Sequence, residues 1–242
     1  MNEHPTSLGV LYLIPTPLGD NSPLEVLPLS VKKIVEEHTH FIIENEKAAR
    51  QFIKRITPNK NQNKIILYPL NKYTTQEEME RYLDPCKSGI SMGLFSDAGC
   101  PGVADPGAVI VSKAHRLGIT VKPLTGPSSI LLALMASGMN GQNFAFNGYL
   151  PIEQKQRNQS ISKFEKKAFR EEQAQLFIET PYRSESLFKD FIKTLDPNTR
   201  LCVACDLSLS TEYILSLSVK QWKKVKPNLN KRPCVFIIEG SF

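Results

Sequence analysis

The sequence predicts an α/β fold in two domains. Residues 1–145 form an N-terminal α/β domain on a mostly parallel, doubly wound sheet, and residues 146–242 form a C-terminal domain with a mixed or antiparallel α+β sheet. Three observations carry this. Short apolar runs alternate with amphipathic stretches up to about residue 145, the pattern of parallel βαβ units. From Phe144 onward strands follow one another with only two helices between them, which points to antiparallel pairing. The chain has 242 residues, 41% hydrophobic and 22% charged, a size and composition that bury a sizeable core.

Taken in order, Val10 to Pro15 is an apolar strand that ends in Pro15-Thr16-Pro17-Leu18-Gly19-Asp20, where prolines cannot continue a ladder. Leu29 to Glu37 has helical spacing and Phe41 to Glu44 is a short buried strand. Asn45 is placed to cap a helix through Ile56, with Ala48, Phe52, Ile53 and Ile56 at helical offsets. Ile65 to Tyr68 is the next strand, and Thr75 followed by Glu78 is a capping-box signature for a helix to Leu83. Met92 to Phe95 is a strand that breaks into Ser96-Asp97-Ala98-Gly99-Cys100-Pro101-Gly102. A helix then restarts, with Asp105 at the cap, Pro106 at the first turn and Gly118 at the C-terminal end.

Ile119 to Pro123 is a strand, and Gly126-Pro127-Ser128-Ser129 opens a helix from Ile130 to about Ser137. In the second domain Leu176 to Glu179, Leu201 to Asp206, Tyr213 to Leu217 and Cys234 to Glu239 read as strands. Ser184 to Leu195 and Ser218 to Lys224 read as helices.

No apolar run approaches the ~18 residues of a membrane span, and Met1 to Gly9 lacks the basic-then-apolar pattern of a leader. A cytoplasmic protein is expected. The net charge of +6 is concentrated in Gln154 to Arg170 and Gln221 to Arg232, which suits a polyanion such as RNA or simply makes solvated faces. Five cysteines without an export signal argue against a disulfide framework. Cys202 and Cys205 form a C-x-x-C within a strand, so they point to opposite faces and read as structural. His38 and His40 have no partners at ligand spacing, and no metal is expected.

A strand that exits into a Gly-rich turn before a helix brings main-chain amides to the carboxyl edge of a sheet, where open α/β sheets bind ligands. Two such exits occur, at Ser96–Gly107 and at Leu124–Ser129, beside the Pro-rich first loop. Ser128 and Ser129 are equally suited to capping the next helix and to meeting a polar ligand. The P-loop pattern, a G-x-G-x-x-G after the first strand and the G-x-S-x-G elbow are all missing, so the residues alone describe a neutral, amide-lined crevice.

The segments Leu11–Asp20, Ser96–Pro101, Asp105–Gly107, Pro123–Ser129, Phe146–Pro151, Phe177–Arg183 and Val235–Gly240, in this order and spacing, resemble the tetrapyrrole methylase family of S-adenosylmethionine-dependent methyltransferases. They are most similar to its branch of small-subunit ribosomal RNA 2′-O-ribose methyltransferases. The resemblance implies two α/β domains with the cofactor in the cleft between them, and a homodimer. It also implies that Leu18, Asp97, Ala98, Gly99, Val103, Ser128, Ser129, Pro233 and Cys234 contact S-adenosylmethionine.

Departures fall on the acceptor side. The branch's acidic-Asp-Thr-Arg-His-Thr stretch is here Glu44-Asn45-Glu46-Lys47-Ala48-Ala49, Tyr182 stands where it has His, and its Arg-Glu-Leu-Thr-Lys becomes Cys205-Asp206-Leu207-Ser208-Leu209. Glu44 and Glu179 are the carboxylates nearest a proton-accepting role, and Arg183 suits a phosphate; each is equally a candidate structural ion-pair partner. Expected is transfer of a methyl group to RNA, with a tetrapyrrole-like small molecule as the alternative acceptor and a non-catalytic binder as the third reading.

Overall fold

The computed structural model describes residues 7–240; the start of the Met1–Gly9 stretch read above lies outside them. Contacts divide the chain into two compact units, Met1–Ser128 and Ser129–Phe242. The sequence reading placed its domain boundary after residue 145.

The first unit is built on five parallel strands: β1 (Val10–Ile14), β2 (His40–Ile43), β3 (Ile66–Pro69), β4 (Met92–Phe95) and β5 (Thr120–Pro123). Their order is β3-β2-β4-β1-β5. The helices are α1 (Pro23–Val26), α2 (Leu29–Glu37), α3 (Glu46–Ile56), α4 (Gln76–Arg81), α5 (Asp84–Lys87) and α6 (Ala108–Arg116). Adjacent residues of one strand feed opposite layers. Phe41 and Ile43 of β2 pack with Val31 and Val35 of α2 and Phe52, Ile53 and Ile56 of α3. Ile42 packs with Leu94, Cys86, Ile110 and Ala114 on the other face. The sheet is therefore covered on both sides, as a parallel sheet requires.

The Asn45 cap forms, its side chain accepting from the Ala48 amide at 3.0 Å, and Thr75 and Glu78 make the full capping box. Asp105 does not cap α6. Gly107 occupies that position, and Asp105 Oδ1 accepts from the amides of Gly102 (2.6 Å) and Gly107 (2.7 Å). The carboxylate folds the loop onto itself because two loop amides lie closer than the helix's first turn.

The second unit comprises α7 (Ser129–Ser137), β6 (Phe144–Phe146), α8 (Gln154–Arg170), β7 (Ala174–Glu179), α9 (Ser184–Thr194), β8 (Arg200–Cys205), β9 (Tyr213–Ser218), α10 (Val219–Trp222) and β10 (Cys234–Glu239). Its sheet runs β6-β7-β10-β8-β9, antiparallel except for the β6–β7 pair. One face carries Phe177, Val203 and Phe236 against Ile161 of α8 and Leu187 and Phe191 of α9. Trp222 of α10 is tied to the inner strand β8, its indole donating to the Leu201 carbonyl at 2.8 Å. The short β6 and the 17-residue α8 were not assigned from sequence; α8 was seen there only as a run of charge.

The cysteine expectation needs one correction. Cys205 on β8 lies directly opposite Cys234 on β10, and the two are joined in a disulfide with Cα atoms 4.3 Å apart. Antiparallel pairing brings together residues 29 apart in sequence, which spacing along the chain does not show. Cys202 stays a buried thiol, its pKa pushed up to about 12 by burial, and does not pair with Cys205. Cys86 and Cys100 are also free. Among the described residues no group of His, Cys, Asp and Glu could hold a metal ion, and no helix is long and apolar enough to cross a membrane.

Candidate active site

In the parallel sheet β1 and β4 are neighbours, yet β1 leads toward β2 on one side and β4 toward β5 on the other. Their connections leave to opposite faces of the sheet, α2 packing on one and α6 on the other, which marks the carboxyl edge between them as the place where doubly wound sheets bind ligands. The loops there are joined through backbone. Thr16 and Gly99 exchange both main-chain hydrogen bonds, at 3.0 and 3.1 Å, and Thr16 Oγ1 donates to the Ser96 carbonyl at 3.0 Å.

Two glycines make this close meeting possible. Gly99 has φ +80°, and a Cβ there would lie 3.2 Å from Leu18 Cδ2 and 3.4 Å from the Pro127 carbonyl oxygen. Gly126 in the loop after β5 passes so near Pro15 that an added Cβ would overlap its ring, at 2.2 Å from Cγ. The loops after β1, β4 and β5 thus converge on Gly99. The Cys100 thiol, held neutral by burial, donates to the Pro127 carbonyl at 3.4 Å and ties the same loops.

Of the nine residues expected at the cofactor, half-buried Leu18 lies against buried Gly99, exposed Asp97 and Ala98 precede Gly99 in the same loop, exposed Val103 follows it, and Ser128 ends the β5 loop, one residue after the Pro127 that Gly99 approaches. Their amides are less bare than the sequence implies. Gly99 N–H is taken up by Thr16 and Asp97 N–H by Glu44 Oε1 at 3.2 Å. Gly99 therefore contributes close approach rather than a free donor. Ser129 begins α7, and Pro233 and Cys234 stand at the start of β10, all in the second unit. Pro233 is exposed and the Cys234 side chain is locked in the disulfide.

Beside this loop a small cleft of about 120 Å³ is lined by Thr16, Ser96 and Asp97 on one side and Ala48, Phe52 and Arg55 of α3 on the other. Arg55 reaches back to the first loop, donating to Asp20 Oδ1 (3.3 Å) and to the carbonyls of Asp20 (3.1 Å) and Asn21 (2.5 Å). Three carboxylates share the same edge. Burial raises the Glu44 pKa, the Asp97 amide opposes this, and the charges of Asp97 and Asp105 reinforce it. Asp97 is raised too, by burial first and by the charge of Asp105. Asp105 Oδ2 is buried without a partner among the described residues.

Glu179 and Arg183 lie in the second unit. Glu179 is buried, and its Oε1 accepts from Arg183 Nε (2.9 Å), Arg183 Nη2 (2.8 Å) and the Thr180 amide (2.7 Å). Arg183 Nη1 is left without a partner among the described residues. The geometry makes Glu179 an anchor for Arg183, whereas Glu44 has no basic partner among the described residues and accepts from the Asp97 amide. Of the second basic run, Arg232 pairs with Asp206 at 2.7 Å and is not a free cation. Thr16, Arg55 and the loop-closing role of Asp105 escaped the sequence reading. Arg55 carried no distinguishing signal, being one of four cations on the amphipathic helix that Asn45 caps.

No family model matches the chain. Curated relatives do. The ribosomal RNA small subunit methyltransferase I of Buchnera aphidicola from Schizaphis graminum is 29% identical over 243 aligned residues, covering 96% of this chain and 79% of the relative. The enzyme of the same name from Escherichia coli O157:H7 is 28% identical, covering 97% and 79%. Among solved structures the methyltransferase CobJ superposes with a TM-score of 0.63 at 15% identity, covering 96% of this chain and 95% of CobJ. The uroporphyrin-III C-methyltransferase of Thermus thermophilus, solved with S-adenosylhomocysteine, gives 0.54 at 16% identity, covering 96% and 97%. The structural likeness establishes the fold.

Proposed function

We propose that this methyltransferase, a relative over nearly its whole length of the ribosomal RNA small subunit methyltransferases I and so of the tetrapyrrole methylase family, carries a methyl group from S-adenosylmethionine to a ribose 2′-hydroxyl of small-subunit ribosomal RNA. The observation that carries the reading is this end-to-end similarity.

The Gly99 cradle fits the cofactor: three loops converge on a residue without a side chain, at a φ that only glycine adopts freely. Leu18, Asp97, Ala98, Gly99, Val103 and Ser128 are assigned to hold it, with Ser129, Pro233 and Cys234 assigned to the same ligand. When bound, S-adenosylmethionine supplies a methyl on a sulfonium sulfur, open to in-line displacement. The protein's share is alignment, worth up to ~7–11 kcal/mol in well-oriented systems. Glu44 is assigned as the base that accepts the hydroxyl proton, its raised pKa bringing it nearer to neutrality, where a general base is most effective. Arg183, oriented by Glu179, offers an unpaired Nη1–H to a phosphate. A homodimer working on ribosomal subunits in the cytoplasm completes the proposal.

The test is to supply enzyme and methyl-labelled cofactor with assembled small subunits, free ribosomal RNA, and a small-molecule extract. Label recovered in 2′-O-methylated nucleosides after RNA digestion is expected. Label confined to the small-molecule pool would instead favour the second reading, to which the fold shared with the uroporphyrin-III enzyme lends support. Label in none would leave a cofactor- or RNA-binding protein without turnover.

A further inference from the structure

The second unit holds a groove of about 1300 Å³ that the chemistry above does not use. One wall is a stripe of α8, on which Lys163, Lys166, Lys167 and Arg170 recur at helical offsets and face one way. The stripe spans roughly 10 Å of helix axis. Lys163 and Lys166 are exposed and make no ion pair among the described residues, whereas Lys167 and Arg170 share Glu171 at 3.8 and 2.6 Å. Two carboxylates also line the groove and are occupied. Glu165 Oε1 accepts from the Asp196 amide (2.7 Å) and Thr199 Oγ1 (2.6 Å), and Asp196 Oδ1 accepts from the Asn198 amide (2.8 Å). Among the lysines stands Phe169, two-thirds exposed, its inner edge against Gly240. Asn158 Oδ1, also lining the groove, is buried without a partner among the described residues.

We infer that this groove binds a single-stranded segment of the RNA substrate, with Lys163 and Lys166 on consecutive phosphates, Phe169 stacked on a base and Asn158 accepting from a base or ribose donor. The inference rests on the RNA reading above and adds a place for the RNA on the molecule. Cations that track a backbone beside an exposed aromatic ring are how single strands are held. A concave wall with an unpaired amide acceptor suits splayed bases and 2′-hydroxyls better than a duplex or a flat lipid surface. The long helix thus converts a charge run into a directional one.

The test compares wild type with Lys163→Glu/Lys166→Glu, with the milder Lys163→Gln/Lys166→Gln, and with Phe169→Ala. Affinity is read by anisotropy for a fluorescent small-subunit RNA fragment across a salt series, and methyl transfer to the same RNA is read in parallel. S-adenosylhomocysteine affinity and circular dichroism report the fold. The double glutamate variant should bind RNA at least tenfold more weakly, and each double variant should flatten the log-affinity against log-salt slope by about 1.4, two phosphates at ~0.7 each. Phe169→Ala should weaken binding about tenfold without changing the slope. Unaltered RNA affinity and slope in folded variants, while wild type methylates RNA, would overturn the groove and leave the function standing. RNA binding lost in the variants but no RNA methylation by wild type would keep the groove and overturn the substrate. Wild type that binds no RNA, or that floats on anionic phospholipid vesicles instead, would overturn both.

Discussion

Two stretches at the same sheet edge behave in opposite ways. The loop after β4 carries the resemblance at Ser96–Pro101 and Asp105–Gly107, while the turn after β2, Glu44 to Ala49, keeps only its first residue. The first is a backbone device. Its geometry depends on Gly99 at φ +80° and on paired main-chain hydrogen bonds with Thr16, so one residue type fits and the pattern is rigid. The second presents side chains from the start of a helix, where Asn45 needs only to cap and Glu46, Lys47 and Ala48 are exposed. Many residues satisfy a helix's first turn, whereas few fit a left-handed φ held against two neighbouring loops.

The comparison breaks most directly at Gly99. Gly99→Val places a branched side chain at a left-handed φ and within 3.4 Å of two neighbouring loops. Calorimetry with S-adenosylhomocysteine should show one site per wild-type chain and a loss of at least 100-fold in the variant. Gly99→Ala, which strains the loop less, should lose less. Equal affinity in all three would separate the cradle from the cofactor.

At the other stretch Glu44→Gln should lower kcat by roughly 10²- to 10⁴-fold, the usual contribution of a general base, while cofactor affinity stays within about twofold. The sign of the pH effect follows from the raised pKa. The base works deprotonated, so the acid limb of the wild-type profile should lie above the ordinary carboxylate range and vanish in the variant. A carboxyl whose folded pKa is raised binds its proton more tightly folded than unfolded, so it costs stability as pH rises through that window. Glu44→Gln should therefore melt no lower than wild type at pH 8, and relatively lower at pH 4. A variant with an unchanged acid limb would remove Glu44 from the chemistry.

Arg55, at the far end of the helix that Asn45 caps, ties α3 to the loop after β1 by holding Asp20 and Asn21 beyond Leu18. Arg55→Ala should raise KM for the cofactor several-fold and leave kcat nearly unchanged, because it positions a loop without touching reacting atoms. A fall in kcat with constant KM would contradict that division. The smallest effect is on chemistry and concerns the second unit. Thiol titration of protein denatured without reductant should find three thiols, and Cys205→Ser should reduce stability without abolishing S-adenosylhomocysteine binding. A closed loop of this length is worth about 3.6 kcal/mol in the chain-entropy description. Five reactive thiols would mean that the cross-strand pair is open.

Most of the fold could be read from the chain. β4, α2 and β10 fall at the limits that periodicity assigned, and the capping box at Thr75 forms as written. The misses share a cause. β6 is three residues long and gains its hydrogen bonds only by pairing with β7, so it carries no pattern of its own. Asp105 reads as a cap because it precedes a helix, but carboxylates go to the nearest free amides, and here those belong to Gly102 and Gly107. For the candidate site, the glycines and small residues were visible because only they tolerate close backbone approach. Arg55 was not, because its partners lie 34 and 35 residues away.

By itself the sequence determined the alternation of strands and helices, the two sheet types and the converging Gly-rich exits, since these follow from local periodicity and backbone freedom. Only the tertiary structure decided that Thr16 closes on Gly99, that Cys205 meets Cys234, that Glu44 shares its edge with Asp97 and Asp105, and that Lys163 and Lys166 face a groove. Each of these depends on strand order and register, which arise from burying both faces of a sheet at once. A pattern along the chain records which residues must be buried, and the pairing of distant strands decides whom they meet.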